Sequence, residues 1–476
     1  MFQFFSPTFF DVLPPLFFPP SHLSLSLSNK QTKPKKTSLP PSFPSPFVQS
    51  VGALTSVLPV MYGVSKFASG VLGARTHPTL LLGGGLAATA LANLCVGASS
   101  SFPLFMLFWG VNGLLQGLGA PACARILTSW YPEALRGTFW GFWTASNNVG
   151  GFFAPVLAGS AAAAWGWRWG MFAPGLVAIV ASLWVFAFMK ESPESMGFPA
   201  VAGPVRLSKA QKKAQKEEAA TSAAAASPAA AAGKAPGAEK PSMIRTLLDD
   251  VLTNPHIWLL AIAYFFVYVV RQGVTSWFVF YLKERGAANP AVAVSGLELG
   301  GLVGSLSSGA ISDALLRRNE ARTKANPGLK PRGNLGLRVL VVVAYTLLTA
   351  AFLGAFAAAP ASTPPALLWL LVSGVGFALY GPQMLIGLCG AEAVPRHAVS
   401  AALGFLGWVS YLGAANAGVP LAALVESRGW GAYFAALAAC CGIVVLLMAP
   451  MILAPSWSQR ERARVAAEQL AAGKEA

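Results

Sequence analysis

The sequence is poor in the residues from which catalytic and metal sites are usually built. Its 476 residues include only four histidines and five cysteines, and no CxxC spacing or histidine cluster accompanies them. A disulfide framework, a metal site and a Ser-His-Asp type of catalytic centre therefore have no basis in the sequence. We expect no enzymatic activity, no metal and no cofactor.

Charged residues are also scarce. Asp, Glu, Lys and Arg make up 11% of the chain, whereas a soluble domain carries about 25%. Hydrophobic residues make up 55%, the mean hydropathy is +0.56, and there are 48 glycines. Glycine lets membrane helices approach one another closely. This composition predicts a membrane protein.

Apolar runs of about 20 residues, long enough to cross a bilayer, occur in two groups. Five precede a charged interruption and six follow it, which predicts an all-α membrane protein with eleven recognisable spans. The predicted spans are 51–73, 79–98, 102–129, 137–164 and 169–189, then 256–281, 291–312, 336–358, 365–388, 398–425 and 430–454.

The same pattern divides the chain into five segments. The first helical half is 51–189 and the second is 251–455. Between them, 190–250 is charged and rich in Ala and Pro without apolar periodicity, so it predicts a low-complexity linker and not a packed domain. Residues 456–476 form a polar tail, and 1–49 form an atypical N-terminal segment.

The two halves look like copies of one another. Three pairs of residues are each 263 positions apart: Pro132 and Pro395, Gly150 and Gly413, Trp167 and Trp430. These pairs span two predicted helices without an insertion or deletion. A parallel repeat of two membrane halves about a pseudo-two-fold axis is the plan of the major facilitator fold. We therefore predict that fold, with six spans expected in each half and five recognisable in the first.

Positive charges lie mainly on one side of the predicted membrane. The linker, the tail and the connections on their side hold most of the 34 Lys and Arg residues, and the opposite connections hold four: Arg168, Lys283, Arg285 and Arg428. Because basic loops stay on the cytoplasmic side, the linker and the C-terminus are predicted to be cytoplasmic. This asymmetry accounts for the net charge of +16, so we expect no nucleic-acid binding.

Residues 1–49 do not fit this arrangement. With eleven spans they fall opposite the basic side, yet they hold Lys30, Lys33, Lys35 and Lys36. Their apolar part is short and rich in proline, which disrupts helices. Two explanations remain open: an organellar targeting peptide, or unrelated sequence that replaces a first span. We favour the second, because a sixth span restores both the repeat and the charge rule.

Three ionisable side chains lie well inside predicted spans: Lys66, Arg271 and Glu298. Such residues usually face a cavity or one another, because a charge at the bilayer centre costs about 2.5–3.5 kcal/mol on insertion scales. Arg271 either pairs with Glu298 to fix two helices or binds an anion such as phosphate, and we favour the anion. Lys66 is also close enough to its span end to extend to the interface. Tyr268 shares a helix face with Arg271.

From about residue 51 to 455, the sequence resembles the organophosphate:phosphate antiporters of the major facilitator superfamily. The signature of that family's fifth span, R-G-x5-W-N-x2-H-N-x-G-G, departs here at Thr144 and Asn147. The positions that match it are Arg136, Gly137, Trp143, Asn148, Gly150 and Gly151. The segments "YGVSKFASGVL" and "LELGGLVGSLSSGAISD" look closest to the eukaryotic glucose-6-phosphate translocase branch.

The resemblance implies a substrate site between the two halves. It assigns phosphate binding to Arg271 in the seventh span and a supporting basic role to Lys66 in the second. Tyr62, Tyr268 and Asn147 are expected to contribute to the same site. The family also has an arginine in its first span, for which this sequence has no counterpart.

The motif "GAISDALLRR" is similar to the Gly-x-x-x-Asp element that facilitator-fold proteins place between their second and third spans in each half. The resemblance gives Asp313 and Arg317 a conformational role, as a contact between helices. Glu298 is expected to act as a charge partner or gate beside the substrate.

The implied function is exchange of a sugar phosphate, of glucose-6-phosphate or glycerol-3-phosphate type, for inorganic phosphate by alternating access. Three alternatives remain open: a sugar-phosphate sensor on the same fold, a non-transporting truncated form, and proton-coupled symport through Glu298. We expect a monomer in a lipid bilayer, with phosphorylated substrate and phosphate as its small-molecule partners. The expected location is the endoplasmic reticulum or the plastid envelope.

Overall fold

The computed structural model describes residues 57, 60–71, 76–199, 245–286, 290–326, 328, 332–360 and 362–475. Within these ranges the chain forms helices and turns, with no strand. The predicted N-terminal segment 1–49 and most of the predicted linker lie outside them. The ends of that linker are described: Pro193–Met196 is a 3-10 helix, and Thr246–Leu252 is a π-helix.

Six helices lie in the described part of the first half. In chain order they are α1 (60–71), α2 (Pro78–Ala98), α3 (Phe102–Gln116), α4 (Gly119–Trp130), α5 (Glu133–Trp165) and α6 (Trp169–Phe188). Helices α3 and α4 follow one another with a short turn and together make one span, Phe102–Trp130.

The second half contains six long helices and a tail helix. They are α7 (Pro255–Glu284), α8 (Pro290–Ala325), α9 (Asn334–Ala358), α10 (Pro365–Glu392), α11 (Val399–Asn416), α12 (Val419–Met448) and α13 (Trp457–Glu475). Several begin at proline, which suits the first turn because its missing N–H would have no partner there. At α7, the Asn254 side chain also accepts a hydrogen bond from the His256 N–H at 3.1 Å.

Nine helical segments in the described ranges are long and apolar enough to cross a membrane, and each overlaps a predicted span. The predicted span 137–164 is helical throughout as part of α5, yet it is not among the nine. Its polar residues, including Thr144, Asn147 and Asn148, reduce its hydropathy, and all three lie at the interior of the molecule or its cavity. The predicted span 51–73 is described only at 57 and 60–71.

One predicted span differs in continuity. The run 398–425 is not one helix, because α11 ends at Asn416 and α12 begins at Val419. Helix α12 then breaks at Gly429, where the backbone has φ 75° and ψ −179°. Glycine populates such positive φ values without the steric penalty of a Cβ atom.

Backbone geometry repeats at the same spacing as the sequence. Pro132 and Pro395 have φ/ψ of −66°/156° and −63°/157°, each just before a helix on the same side of its half. Gly166 has φ 90° and ψ 162°, close to the values of Gly429, 263 positions later. The repeat predicted from three residue pairs is therefore matched by the chain path at both ends of the repeated unit.

The two halves meet through helices with small residues at their crossings. Helix α8 packs against α10 of its own half and against α5 of the other. At that crossing a Cβ on Gly309 would lie 2.2 Å from the carbonyl oxygen of Gly137. Helices α1 and α11 cross at Gly70 and Gly404, where a Cβ on Gly70 would lie 2.5 Å from Gly404 Cα. Close backbone approach of this kind is typical of membrane helices.

Candidate functional site

A cavity of about 480 Å³ lies between the two halves and contains the predicted site residues. This volume is within the range of about 300–1,000 Å³ that small-molecule sites occupy. The first half contributes Tyr62, Lys66 and Asn147, and the second half contributes Tyr268 and Arg271. Side chains from three separate stretches of the sequence are thereby brought to one chamber. Glu298, predicted as their charge partner, lines it as well.

Arg271 lies near the middle of α7 and is half-buried. Its guanidinium carbon is 5.5 Å from the ring centre of Tyr268 and 5.7 Å from that of Tyr380. These distances are typical of cation–π contacts. Its Nε is buried and has no hydrogen-bond partner among the described residues. A buried N–H without an acceptor is unfavourable, so this donor is available to an anionic ligand.

Lys66 approaches the same chamber from α1. Its ammonium nitrogen lies 5.9 Å from the ring centre of Tyr62 and 5.4 Å from that of Tyr411. Its aliphatic stem passes over Gly407, where an added Cβ would lie 2.5 Å from the lysine Cδ. Glycine at that position therefore allows the stem to cross α11 and reach the cavity. The structure places Lys66 inside the protein, and the alternative in which it extends to the membrane interface is not adopted.

Tyrosines surround the two cations. Tyr268 is 5% exposed, and its ring packs edge-on against Tyr264 at 4.9 Å and Tyr411 at 5.4 Å. Tyr62 packs edge-on against Tyr411 at 4.8 Å. The tyrosine rings join α1 of the first half to α7 and α11 of the second. They offer both π-faces for cations and hydroxyl groups for a polar ligand.

Glu298 does not pair with Arg271 in this structure. Its Oε2 accepts a hydrogen bond from the Asn148 amide at 2.8 Å, and its two oxygens accept from the Tyr380 hydroxyl at 3.0 and 3.1 Å. Among the described ion pairs none joins Arg271 to Glu298, so the predicted alternative of a fixed pair between these two is not formed. The Asn148 bond instead connects α5 of the first half to α8 of the second.

Neighbouring asparagines on α5 have different surroundings. Asn147 lines the cavity and is exposed to it, as expected of a substrate-binding side chain. Asn148 is 4% exposed and faces Glu298. In the sequence, Asn148 is conspicuous only as a match to the fifth-span signature, which does not identify a partner for it. Tyr380 and Tyr411 were missed entirely, because no local pattern distinguishes a cavity tyrosine from one that packs between helices.

Asp313 fastens the two halves together at the end of the molecule predicted to be cytoplasmic. Its carboxylate accepts hydrogen bonds from the Gly137 N–H at 3.0 Å, from the Thr138 N–H at 2.6 Å and from the Thr138 hydroxyl at 2.7 Å. These donors lie near the start of α5, where the helix dipole also favours a negative charge. The predicted conformational contact is thus present between α8 and α5. Arg317 adds a longer bond of 3.5 Å to the Ala134 carbonyl oxygen.

Two further buried charges complete this junction, and both were missed. Arg338 on α9 and Glu392 at the end of α10 are 0% and 3% exposed. Arg338 pairs with Glu392 at 2.7 Å and with Asp313 at 2.9 Å, and it also donates to the Ser312 hydroxyl at 2.7 Å. Both residues stand near the ends of predicted spans, and the sequence alone did not single out either of them. We call this group, with the start of α5, the inter-half latch.

The tail helix α13 reinforces the latch. The Ser458 hydroxyl donates to Glu133 Oε2 at 2.6 Å, and the Asn334 amide donates to Glu133 Oε1 at 3.2 Å. Glu133 belongs to the first half, whereas its two partners belong to the second half and the tail. The Arg338 guanidinium also donates to the Glu133 carbonyl oxygen at 2.6 Å.

Comparison with known proteins agrees with this architecture. A family model described as Major Facilitator Superfamily matches residues 36–418. The chain is 35% identical over 419 residues to the probable hexose phosphate transport protein of Chlamydia trachomatis, covering 87% of this chain and 83% of that protein. It is 35% identical over 405 residues to the membrane sensor protein UhpC of Salmonella typhimurium, covering 84% of this chain and 83% of that one.

A solved structure supports the fold independently. The human organic anion transporter MFSD10 matches with a TM-score of 0.55 at 17% identity, covering 84% of this chain and 83% of that chain. The resemblance predicted from the fifth-span signature and the repeat is confirmed at the level of the family. The chain is therefore an integral multi-pass membrane protein of the major facilitator superfamily, and it belongs to the organophosphate:phosphate antiporter family.

Proposed function

We propose that this protein is a secondary transporter that exchanges a sugar phosphate for inorganic phosphate by alternating access between its halves. The observation that carries the proposal is the position of Arg271 and Lys66. Both cations line one cavity between the halves, and the buried Nε of Arg271 has no partner among the described residues. The similarity to the probable hexose phosphate transport protein of Chlamydia trachomatis supports this choice of substrate.

The chemistry of the two cations suits a phosphate group. A planar guanidinium donates two parallel hydrogen bonds to phosphate oxygens, and a lysine ammonium adds a second positive charge. Both cations lie against tyrosine rings, and neither belongs to an ion pair among the described residues, so a doubly charged phosphate has no such pair to displace. The tyrosine hydroxyls nearby supply further donors.

Exchange follows from the same electrostatics. Without a ligand, the cavity holds two cations and no bound anion. When the halves reorient, the cavity closes to both sides and these cations are desolvated, which is unfavourable. Bound phosphate or phosphate ester neutralises them and lowers that barrier. The halves therefore reorient with anion bound, which makes the process a one-for-one exchange, and a ligand drives it only by binding the two states differently.

Alternating access also requires that the closed end can open. The inter-half latch joins Asp313 of the second half to α5 of the first by three hydrogen bonds. By the distribution of basic residues, this end faces the cytoplasm together with the linker and the tail. Release of the latch would expose the cavity on that side. Location in the endoplasmic reticulum or plastid envelope stays a prediction.

A sensor is the second candidate, favoured by the match to the membrane sensor protein UhpC. Sensors and transporters on this fold need the same binding chemistry, so the cavity alone does not separate them. A transporter exchanges bound ligand across the bilayer, whereas a sensor binds ligand without turnover. Measurement of counterflow therefore discriminates the two.

The test uses purified protein reconstituted into liposomes that are preloaded with phosphate. Radiolabelled glucose-6-phosphate or phosphate is added outside, and its counterflow is measured. We expect exchange by the wild type and none by Arg271→Ala, with normal membrane insertion. Lys283→Ala is the matched control, because Lys283 is an exposed cation near the end of the same helix and should leave exchange unchanged. Normal exchange by Arg271→Ala would overturn the proposal, and ligand binding without counterflow by the wild type would favour the sensor.

A further inference from the structure

The phosphate-binding cations occupy only part of the cavity. On α10, Gln383 follows Tyr380 by three residues, and both line the chamber. Because a helix rises about 1.5 Å per residue, Gln383 lies about 4.5 Å further along α10 than Tyr380, toward the latch. When a phosphate binds at Arg271 beside Tyr380, the part of the cavity next to Gln383 is therefore available to another part of the same ligand.

Gln383 has an unusual hydrogen-bond state for a buried amide. Its side chain is 7% exposed, and its Oε1 is buried without a hydrogen-bond partner among the described residues. Leaving such an acceptor unsatisfied costs about 1–3 kcal/mol. The backbone at the same residue is fixed, because the Tyr264 hydroxyl donates to the Gln383 carbonyl oxygen at 3.0 Å. The residue that carries this unpaired oxygen is thus anchored through its backbone at the cavity wall.

The surroundings of Gln383 combine aromatic and neutral polar groups. One turn further along α10, a Cβ added at Gly387 would lie 3.7 Å from the Trp140 Nε1 and 3.8 Å from the Tyr264 hydroxyl. Trp140 packs edge-on against Trp143 with ring centres 5.1 Å apart. Thr144, 7% exposed, lines the cavity from the same helix as the two tryptophans. Trp140, Trp143 and Thr144 of the first half therefore complete the wall at this level.

We propose that Gln383 is a specificity-determining residue that hydrogen-bonds the hydroxyl groups of the esterified part of the substrate, a polyol. An amide donates and accepts hydrogen bonds, as hydroxyl groups also do, so one glutamine can bind two neighbouring hydroxyls. Thr144 offers a further hydroxyl, and the tryptophan rings offer apolar surface to the C–H groups between them. This inference rests on the proposed function and adds to it the reason why a polyol phosphate is preferred to phosphate alone.

Discrimination follows from the cost of an unpaired acceptor. A ligand that brings hydroxyls to Gln383 satisfies the buried Oε1, whereas inorganic phosphate or an alkyl phosphate does not. Sites built to bond a hydroxyl reject analogues that lack it far more strongly than apolar pockets reject a missing methylene. Binding of phosphate itself should be independent of Gln383, because the cations that hold it lie at another level of the cavity.

The experiment measures equilibrium binding of three probes to the full chain in detergent: glucose-6-phosphate, butyl phosphate and inorganic phosphate. Gln383→Met keeps the side-chain volume and removes both polar atoms. Because the bonds are worth about 1–3 kcal/mol, we expect affinity for glucose-6-phosphate to fall about 5- to 150-fold. Affinities for butyl phosphate and inorganic phosphate should stay within about twofold, so the preference for the polyol ester is lost. Thr144→Val should show a smaller loss of the same kind.

Gln272→Met is the matched control. Gln272 lies on α7 next to Arg271, and its amide donates to the Ser276 hydroxyl at 2.9 Å without lining the cavity. It should leave all three affinities unchanged. An unaltered affinity of Gln383→Met for glucose-6-phosphate, or an equal loss for all three probes, would overturn the assignment of Gln383. If the Gln383 variant does not fold, a wild type that binds butyl phosphate as tightly as glucose-6-phosphate overturns it equally. Absence of binding of any probe by the wild type would instead overturn the proposed function.

Discussion

Arg338 and Arg271 are both arginines within membrane helices, and they differ in almost every contact. Arg338 is 0% exposed and donates five hydrogen bonds, to Glu392, Ser312, Asp313 and the Glu133 carbonyl oxygen. Arg271 is half-buried and lies against two tyrosine rings, and its buried Nε has no partner within the part of the chain that the structure describes. One guanidinium is fully satisfied by the protein and the other is not.

The difference separates two uses of a charge in an apolar protein. A buried charge whose partners are all internal holds helices in place, and its desolvation is compensated by those partners. A cationic side chain whose hydrogen-bond donors lack partners in the protein has its desolvation fully compensated only when a ligand binds. The internal contacts of each arginine, and not its depth in the sequence, therefore indicate its role. Substitution of each arginine, with measurement of both stability and ligand binding, tests these two roles.

The largest expected effect is on stability, from Arg338→Met. The substitution leaves Asp313 and Glu392 buried without their cation, which should destabilise the protein by about 3–5 kcal/mol. Arg271→Met should change stability by less than about 1 kcal/mol, because it breaks no internal ion pair, while it abolishes binding of phosphate and phosphate esters. Thermal unfolding of the detergent-purified variants measures both. Equal losses of stability would show that the two arginines are not distinct in the way their contacts indicate.

A smaller effect is expected from weakening the latch without removing its arginine. Asp313→Asn removes the charge that the α5 N–H groups and Arg338 bond, and hydrogen bonds to charged groups contribute about 1.5–3 kcal/mol each. The closed state should lose population, so Cys123, which lines the cavity, should react about tenfold faster with a membrane-impermeant thiol reagent added on the side predicted to be cytoplasmic.

Peptide mass spectrometry measures the labelling rate of Cys123 separately, so the other cysteines do not have to be substituted. Arg317→Ala is the control for the Asp313 variant, because its single 3.5 Å bond to Ala134 lies at the surface. It should leave the rate nearly unchanged. If Asp313→Asn is labelled at the same rate as the wild type, Asp313 does not stabilise the closed state.

The smallest effect is expected at the tail. Ser458→Ala removes one hydrogen bond to the Glu133 carboxylate and leaves the bond from Asn334. We expect a loss of about 1–2 kcal/mol in stability and an increase in Cys123 labelling smaller than that of Asp313→Asn. A double variant, Ser458→Ala with Asp313→Asn, should show a coupling energy in the labelling rate if the tail and Asp313 restrain the same motion. Strict additivity would mean that the tail acts separately.

Much of the fold follows from one-dimensional pattern alone. Hydropathy over windows of about 20 residues predicts most of the long helices in the described ranges, since each helix must satisfy its own backbone in lipid. The offset of 263 positions predicts the repeat, because two copies of one unit without insertions keep corresponding residues at equal spacing. Arg271 and Lys66 also stand out in the hydropathy pattern, because each is an isolated charge within an apolar run. All of these signals are visible without knowing which helices touch.

The contacts that sequence analysis missed depend on which helices pack together. Glu392 and Arg338 stand near the predicted ends of their spans, where a charge is ordinary. Only the packing of α8, α9 and α10 buries them against each other. Glu298 was considered a partner of Arg271 because both are charged, yet it bonds Asn148 and Tyr380, which are neutral. Charge alone predicts that a buried group needs a partner and does not identify the partner.

The two positive-φ glycines at the ends of the repeated unit have a consequence for experiment. At Gly166 and at Gly429 nothing lies within 4 Å of where a Cβ would be, so alanine at either site meets backbone strain without a steric clash. The backbone at both glycines combines φ of 75–90° with ψ close to 180°, a region that residues other than glycine rarely adopt, and such strain costs on the order of 1–3 kcal/mol. Gly166→Ala and Gly429→Ala are therefore the same perturbation made twice in one molecule, once in each half. The difference between their effects reports how unequally the two halves resist unfolding.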